Sequence, residues 1–164
     1  MNNRRGYVCV IKLRREEIQY DVDFISWKLA NCRVADSEEE RAERQTDEES
    51  RDWMGRQIET AFDTVISKIR AYVAGIKSRV SSNSKDGNVD EWNLELVMEP
   101  GWRGEPKQLC TYMHNYVVAY VLAKWFEITL PSEAANYVQE YSDWMDKIVS
   151  EARNVQVKNV SFRL

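Results

Sequence analysis

Histidine, cysteine and clustered acids are the side chains that could do chemistry here, and their numbers limit it. The chain of 164 residues has one histidine, His114. A serine or cysteine nucleophile needs an adjacent base, most often histidine. His114 lies in the most apolar segment, so it reads as a hydrogen-bonded core or interface residue rather than a base. Cys9, Cys32 and Cys110 are odd in number and show no CxxC spacing, which argues against a disulfide framework or a zinc site. Glu38-Glu39-Glu40 and Asp47-Glu48-Glu49 do not converge on one point from a helix or an extended chain, so they read as a solvated face. Paired carboxylates for glycoside chemistry cannot be picked out without geometry. Gly101 and Gly104, with Arg103 and Lys107 leading into a helix, are the one hint of a phosphate cradle. They match neither GxGxxG nor GxxxxGK[ST], and a loop tip is the plainer reading. No catalytic residue, cofactor or metal is expected, and the chain does not read as an enzyme.

Charge points elsewhere. Residues 1–15 carry Arg4, Arg5, Lys12, Arg14 and Arg15 and no acid, and residues 153–164 carry Arg153, Lys158 and Arg163 and no acid. Between them, residues 36–52 hold nine acids against three arginines. Blocks of opposite sign on one chain suggest pairing, within the chain or between copies. In a head-to-tail contact the basic ends of one copy would meet the acidic segment of the next, and a ring results if the rotation closes. The interface residues expected on this reading are Arg4, Arg5, Arg14, Arg15, Glu38, Glu39, Glu40, Lys158, Phe162 and Arg163, together with Trp102 and Arg103. Trp102, flanked by glycines and next to an arginine, is the kind of pair that interface hot spots favour; the alternative is that it folds back on the body. The basic ends could touch phosphates, but the net charge is −4 and no nucleic-acid-reading motif is present. No signal-peptide pattern opens the chain, so synthesis in a reducing cytoplasm is expected. The most apolar run, residues 109–129, is interrupted by His114, Asn115, Lys124 and Glu127 and is too short in uncharged residues to span a bilayer.

The elements that must position these residues follow from periodicity. Residues 7–13 (YVCVIKL) read as a strand. Residues 16–34 read as a helix with Ile18, Val22, Ile25, Leu29 and Cys32 on one face, leaving Phe24 and Trp27 off that seam for a second contact. The spacing of Met54, Ile58, Phe62, Val65, Ile69, Ile76 and Val80 predicts a long helix to about residue 80, with Thr46 and Glu49 as a capping box. Residues 81–88 read as a loop. Trp92, Leu94, Leu96 and Met98 alternate as a half-buried strand, stopped by the Pro100–Pro106 loop. Residues 107–128 form a helix apolar nearly all round, which belongs in the middle of a bundle. After Pro131, Ser132 is expected to cap a last helix to about residue 154. Residues 155–164 alternate as a terminal strand, which could pair with residues 7–13, with residues 92–98, or with another subunit. The expected fold is one domain over 1–164, mostly α (α+β). It is a four-helix bundle with a small β element from the N-terminal strand, a strand or hairpin near 91–106 and the C-terminal strand. An acidic connection spans 36–46, an extended insertion spans 81–106, and a terminal tail spans 155–164.

This order of elements resembles small helical head–tail connector (neck adaptor) proteins of tailed bacteriophages. The resemblance is carried by the 16–34 helix, by RDWMGRQIETAFDTVISKIRAYV, by the insertion EWNLELVMEPGWRGEP, and by the helices YMHNYVVAYVLAKWFEIT and PSEAANYVQEYSDWMDKIV. It covers most of the chain and includes no diagnostic motif. The resemblance implies a structural virion protein without catalytic residues. It would be a ring of copies docked on the portal, with a tail or second neck protein beyond, around a channel through which DNA passes without sequence-specific contact. Location in the virion neck and no membrane contact follow. The acidic stretch departs from the family pattern; an acidic channel lining would repel DNA and let it slide. The alternative is a cytoplasmic helical regulatory module that binds protein or nucleic acid through the Trp102 loop or an aromatic groove.

Overall fold

In a computed structural model the described residues are 7–32, 37–46, 50–83 and 89–155. Strand β1 (Val8–Arg14) leads directly into α1 (Arg15–Cys32), followed by α2 (Glu38–Arg44), α3 (Arg51–Ile69) and a 3-10 turn at Arg70–Tyr72. Strands β2 (Gly75–Asn83) and β3 (Val89–Val97) precede the two long helices α4 (Pro106–Thr129) and α5 (Pro131–Ala152). The fold is mostly α with a small antiparallel sheet, the α+β class expected. Among the described residues it has five α-helices rather than four, the added one being the short α2.

The sheet order is β1-β3-β2, antiparallel throughout. Its inner face is set by alternation: Cys9, Ile11 and Leu13 on β1 and Trp92, Leu94 and Leu96 on β3 are buried, as a period of two requires. The outer face is stitched by Lys12–Glu91 at 2.9 Å and Lys77–Glu95 at 2.8 Å, oppositely charged pairs on neighbouring strands. Helix α4 is the central post. It buries Leu109, Met113, Tyr116, Val117, Val121, Leu122 and Phe126, and α1, α3, α5 and β1 all pack on it. No helix among the described residues is long and apolar enough to cross a membrane.

Three expectations are corrected. The long helix ends at Ile69, not near residue 80, and residues 75–83 form β2. Ile76 and Val80 fit the helical four-step, but in β2 a register shift between Ile76 and Ser78 pairs Ile76 with buried Leu96 and exposed Val80 with Asn93 on the other face, and β2 supplies the second edge that β3 needs for its backbone hydrogen bonds. Thr46 is not the N-cap of α3. Ser50 occupies the N-cap of α3; Thr46 lies upstream and bonds Asp23 and Ser26 instead, while Glu49 falls outside the described residues. Ser132 makes no cap: α5 starts at Pro131 in its first turn, where the missing N–H costs nothing. Because β3 lies between β1 and β2, residues 92–98 have no free edge for a terminal strand. Of that strand only Val155 is described, in a single bridge to Trp102.

Candidate assembly surface

Helix α1 has two apolar faces. Ile18, Val22 and Ala30 are buried, with Ile25 and Leu29 half-buried beside them. On another face Tyr20, Phe24 and Trp27 stand 69%, 51% and 52% exposed. Their steps of four and three residues bring them one above another on the helix surface. The rings stack in sequence, Tyr20 on Phe24 at 6.4 Å and 5°, Phe24 on Trp27 at 6.4 Å and 26°. Three large aromatics side by side in water mark an interaction surface more often than a free one. Phe24 and Trp27 were readable as lying off the buried seam. Tyr20 was missed, although it precedes Phe24 by one turn.

Beside the stripe, Glu16, Glu17, Tyr20, Asp21 and His114 line a shallow depression of about 570 Å³. His114 Nε2 lies 2.7 Å from Asp21 Oδ2, so the histidine ties α4 to α1. Cys110, one turn earlier on α4, gives its thiol hydrogen to the Lys12 carbonyl at 3.2 Å. That thiol is therefore directed at backbone rather than at the imidazole. Burial, with Cys110 nearby, pushes the Cys9 thiol up to about 11, which disfavours a thiolate nucleophile there. Among the described residues no group of three or more His, Cys, Asp or Glu side chains could hold a metal ion.

Within the acidic segment, Glu38–Arg44 form a helix, α2. Ser37 caps α2, its hydroxyl accepting from the Glu40 N–H at 3.1 Å, and α2 buries no residue. Glu38 and Glu39 are exposed, and Glu40 pairs with Arg44 at 3.7 Å. The body holds this helix at its C-terminal end, where Trp125 Nε1 donates to the Arg44 carbonyl at 2.9 Å and Thr46 bonds Asp23 and Ser26.

The basic residues divide. Arg14 is exposed on the sheet's outer face, 3.4 Å from Glu17 and 3.8 Å from Glu91. Arg15 turns inward: it is 9% exposed, donates to the Arg51 carbonyl at 3.0 Å and packs against Gly55. It braces the first turn of α3 instead of facing outward. Arg4, Arg5, Lys158, Phe162 and Arg163 lie outside the described residues. Trp102 folds back: its Nε1 donates to the Glu151 carbonyl at 2.8 Å and its ring lies 5.6 Å from Tyr7. Arg103 next to it is exposed, and its N–H bonds the Asn154 carbonyl at 2.7 Å. The loop is thus clamped to the end of α5. Glu38, Glu39 and Glu40 sit together on α2, Trp102 and Arg103 on this loop, and the stripe on α1.

Compared with known families, characterised proteins and solved structures, the chain matches none.

Proposed function

We propose that this chain is a structural assembly subunit: a head–tail connector of a tailed bacteriophage, made in the host cytoplasm and built as a ring into the virion neck between portal and tail. The exposed Tyr20–Phe24–Trp27 stripe carries the reading. A monomer gains nothing from leaving three stacked aromatics in water, whereas a subunit that spends its working life in contact with copies of itself or with the portal buries them. The acids of α2, held on a helix fastened to the body, would supply a second surface for the basic ends of a neighbour. The order of elements supports the same reading.

Light scattering on the purified chain, with electron images of the same sample, tests it. The expected result is a ring of several protomers with an open centre. A chain that stays monomeric at every concentration and salt level overturns the proposal. Reversing Glu38, Glu39 and Glu40 to lysine should weaken assembly, most clearly at low salt where exposed charges are least screened. Unchanged assembly would remove α2 from the interface.

A further inference from the structure

The exposed face of α1 fits a second copy of itself. Asn31, also exposed, continues the stripe beyond Trp27, so Tyr20, Phe24, Trp27 and Asn31 recur in steps of four, three and four. That spacing is the seam along which two helices pack side by side. It also reads the same from either end. Turned end over end, the seam therefore meets itself in register: Phe24 of each copy faces Trp27 of the other, and Tyr20 faces Asn31. By symmetry each of these pairs occurs twice. Phe24 and Trp27 make aromatic pairs at the centre. Asn31 gives an amide hydrogen to the Trp27 carbonyl of its own helix at 2.7 Å, and its side-chain oxygen is the acceptor that the Tyr20 hydroxyl of the other copy meets.

Charge selects this orientation and register. Asp21 and Lys28 follow Tyr20 and Trp27 by one residue each, on one flank of the seam. Lys28 is exposed, and the Asp21 side chain stays 45% exposed while it bonds His114. In the reversed pair each Asp21 comes within about 3 Å of level with Lys28 of the other copy, on the same side of the contact. A parallel pair instead sets Asp21 against Asp21 and Lys28 against Lys28, which like charges oppose. Sliding the reversed pair by one layer puts Glu17 against Trp27 and brings the two Asp21 side chains within about 3 Å of level. On the opposite flank, Asp23 is taken up by the Thr46 hydroxyl of its own chain.

We propose that α1 is the contact of a two-fold dimer, its aromatic seam packed antiparallel on the same seam of a second copy. This rests on the assembly reading and names the partner of the stripe. An isologous contact is saturated by one partner, so ring closure falls to the charged surface of α2. The exposed parts of Tyr20, Phe24 and Trp27 supply about 700 Å² over both copies. That is less than a standard interface, so the isolated dimer is expected to dissociate at roughly micromolar concentration.

Sedimentation velocity over a concentration series reads the contact, and circular dichroism confirms that each variant folds. Phe24→Ser with Trp27→Ser should weaken dimerisation at least about 30-fold, as loss of hot-spot residues implies. Lys28→Glu sets acid against acid at both ends of the seam and should weaken it about tenfold at low salt, less at high salt. Cross-linking reads the orientation, in chains whose Cys32 and Cys110 are changed to serine. Tyr20→Cys mixed with Asn31→Cys should form a disulfide between copies under mild oxidation. Tyr20→Cys alone should form none, because in the reversed pair its two positions lie about 16 Å apart. Either variant associating like the native chain, no disulfide from the mixture, or a disulfide from Tyr20→Cys alone overturns the contact and leaves the ring reading standing. A native chain that stops at a dimer, lost in the stripe variant, upholds the contact and removes the ring. A native chain that remains monomeric removes both.

Discussion

Replacing Gly104 with alanine isolates the clamp that turns Trp102 inward. A Cβ at Gly104 would lie 2.5 Å from Trp102 Cε2 and 2.7 Å from its Nε1, where unbonded carbons prefer about 3.5–4.0 Å. The indole must therefore retreat by roughly 1 Å, and its surroundings resist. Its Nε1 is bonded to the Glu151 carbonyl, its ring lies against Tyr7, and the Glu105 N–H bonds Glu151 Oε1 at 2.7 Å. Losing the indole hydrogen bond costs about 1 kcal/mol, and loosening the aromatic pair costs about 0.5–1.5 kcal/mol more. Against this, Gly101 is the one described glycine with positive φ. Alanine at position 104 is thus conformationally allowed, and it stabilises by about 0.4–1 kcal/mol through the unfolded chain.

The net expectation for Gly104→Ala is destabilisation by about 1–2 kcal/mol. The sign should reverse once the indole is gone. In a Trp102→Ala background the clash has no partner, so the same substitution becomes neutral or stabilising by up to about 1 kcal/mol. Urea unfolding of the four chains, followed by far-ultraviolet circular dichroism, completes the cycle. An equal cost in both backgrounds, or a cost under about 0.5 kcal/mol in the native one, would refute the steric argument.

Three other outcomes follow from single contacts. Ser26 is fully buried and its hydroxyl accepts from the Thr46 N–H at 3.3 Å; Ser26→Ala should cost about 1–3 kcal/mol in urea unfolding by orphaning that donor. Trp125→Phe removes the donor to the Arg44 carbonyl and should speed amide exchange in α2 far more than in α4; equal exchange rates would show that α2 is held elsewhere. Hydrogen bonds from Lys12, then Asn93, hold the Glu91 carboxyl below the usual glutamate range. Its charged form therefore favours the folded state at neutral pH, and the contribution is lost as the pH falls below that range. Thermal melts of Glu91→Gln should differ from native at neutral pH and converge with it in acid.

Where one period dominates, the elements were legible. Alternation exposed β1 and β3, and an all-round apolar run marked α4 as the central post, because burial on every side leaves no polar face to write into the sequence. Strand β2 was hidden for a physical reason. Ile76 and Val80 lie four apart and continue the helical stripe, while a register shift between Ile76 and Ser78 erases the alternation that would announce a strand, so only the demand of β3 for a second hydrogen-bonded neighbour decides. The surface divides the same way. Phe24 and Trp27 could be seen leaving the seam of α1, since that is a property of one helix. The depression beside the stripe is made by α1 and α4 together, so no local pattern announces it.

Helix α2 shows how composition misleads about order. Seven residues without a buried side chain cannot persist as an isolated helix, since nucleation alone outweighs the few hydrogen bonds formed. Yet α2 has Ser37 at its start, a Glu40–Arg44 pair along its length, and Trp125 and Ser26 fastening the backbone that follows it. A plain connection between α1 and α3 requires none of these. What they achieve is a fixed direction for Glu38 and Glu39, and fixed charge attracts a complementary surface at lower entropic cost than the same acids on a loose linker. In the stretch that looks least structured by composition, residues 38–44 are thus held as a fastened helix.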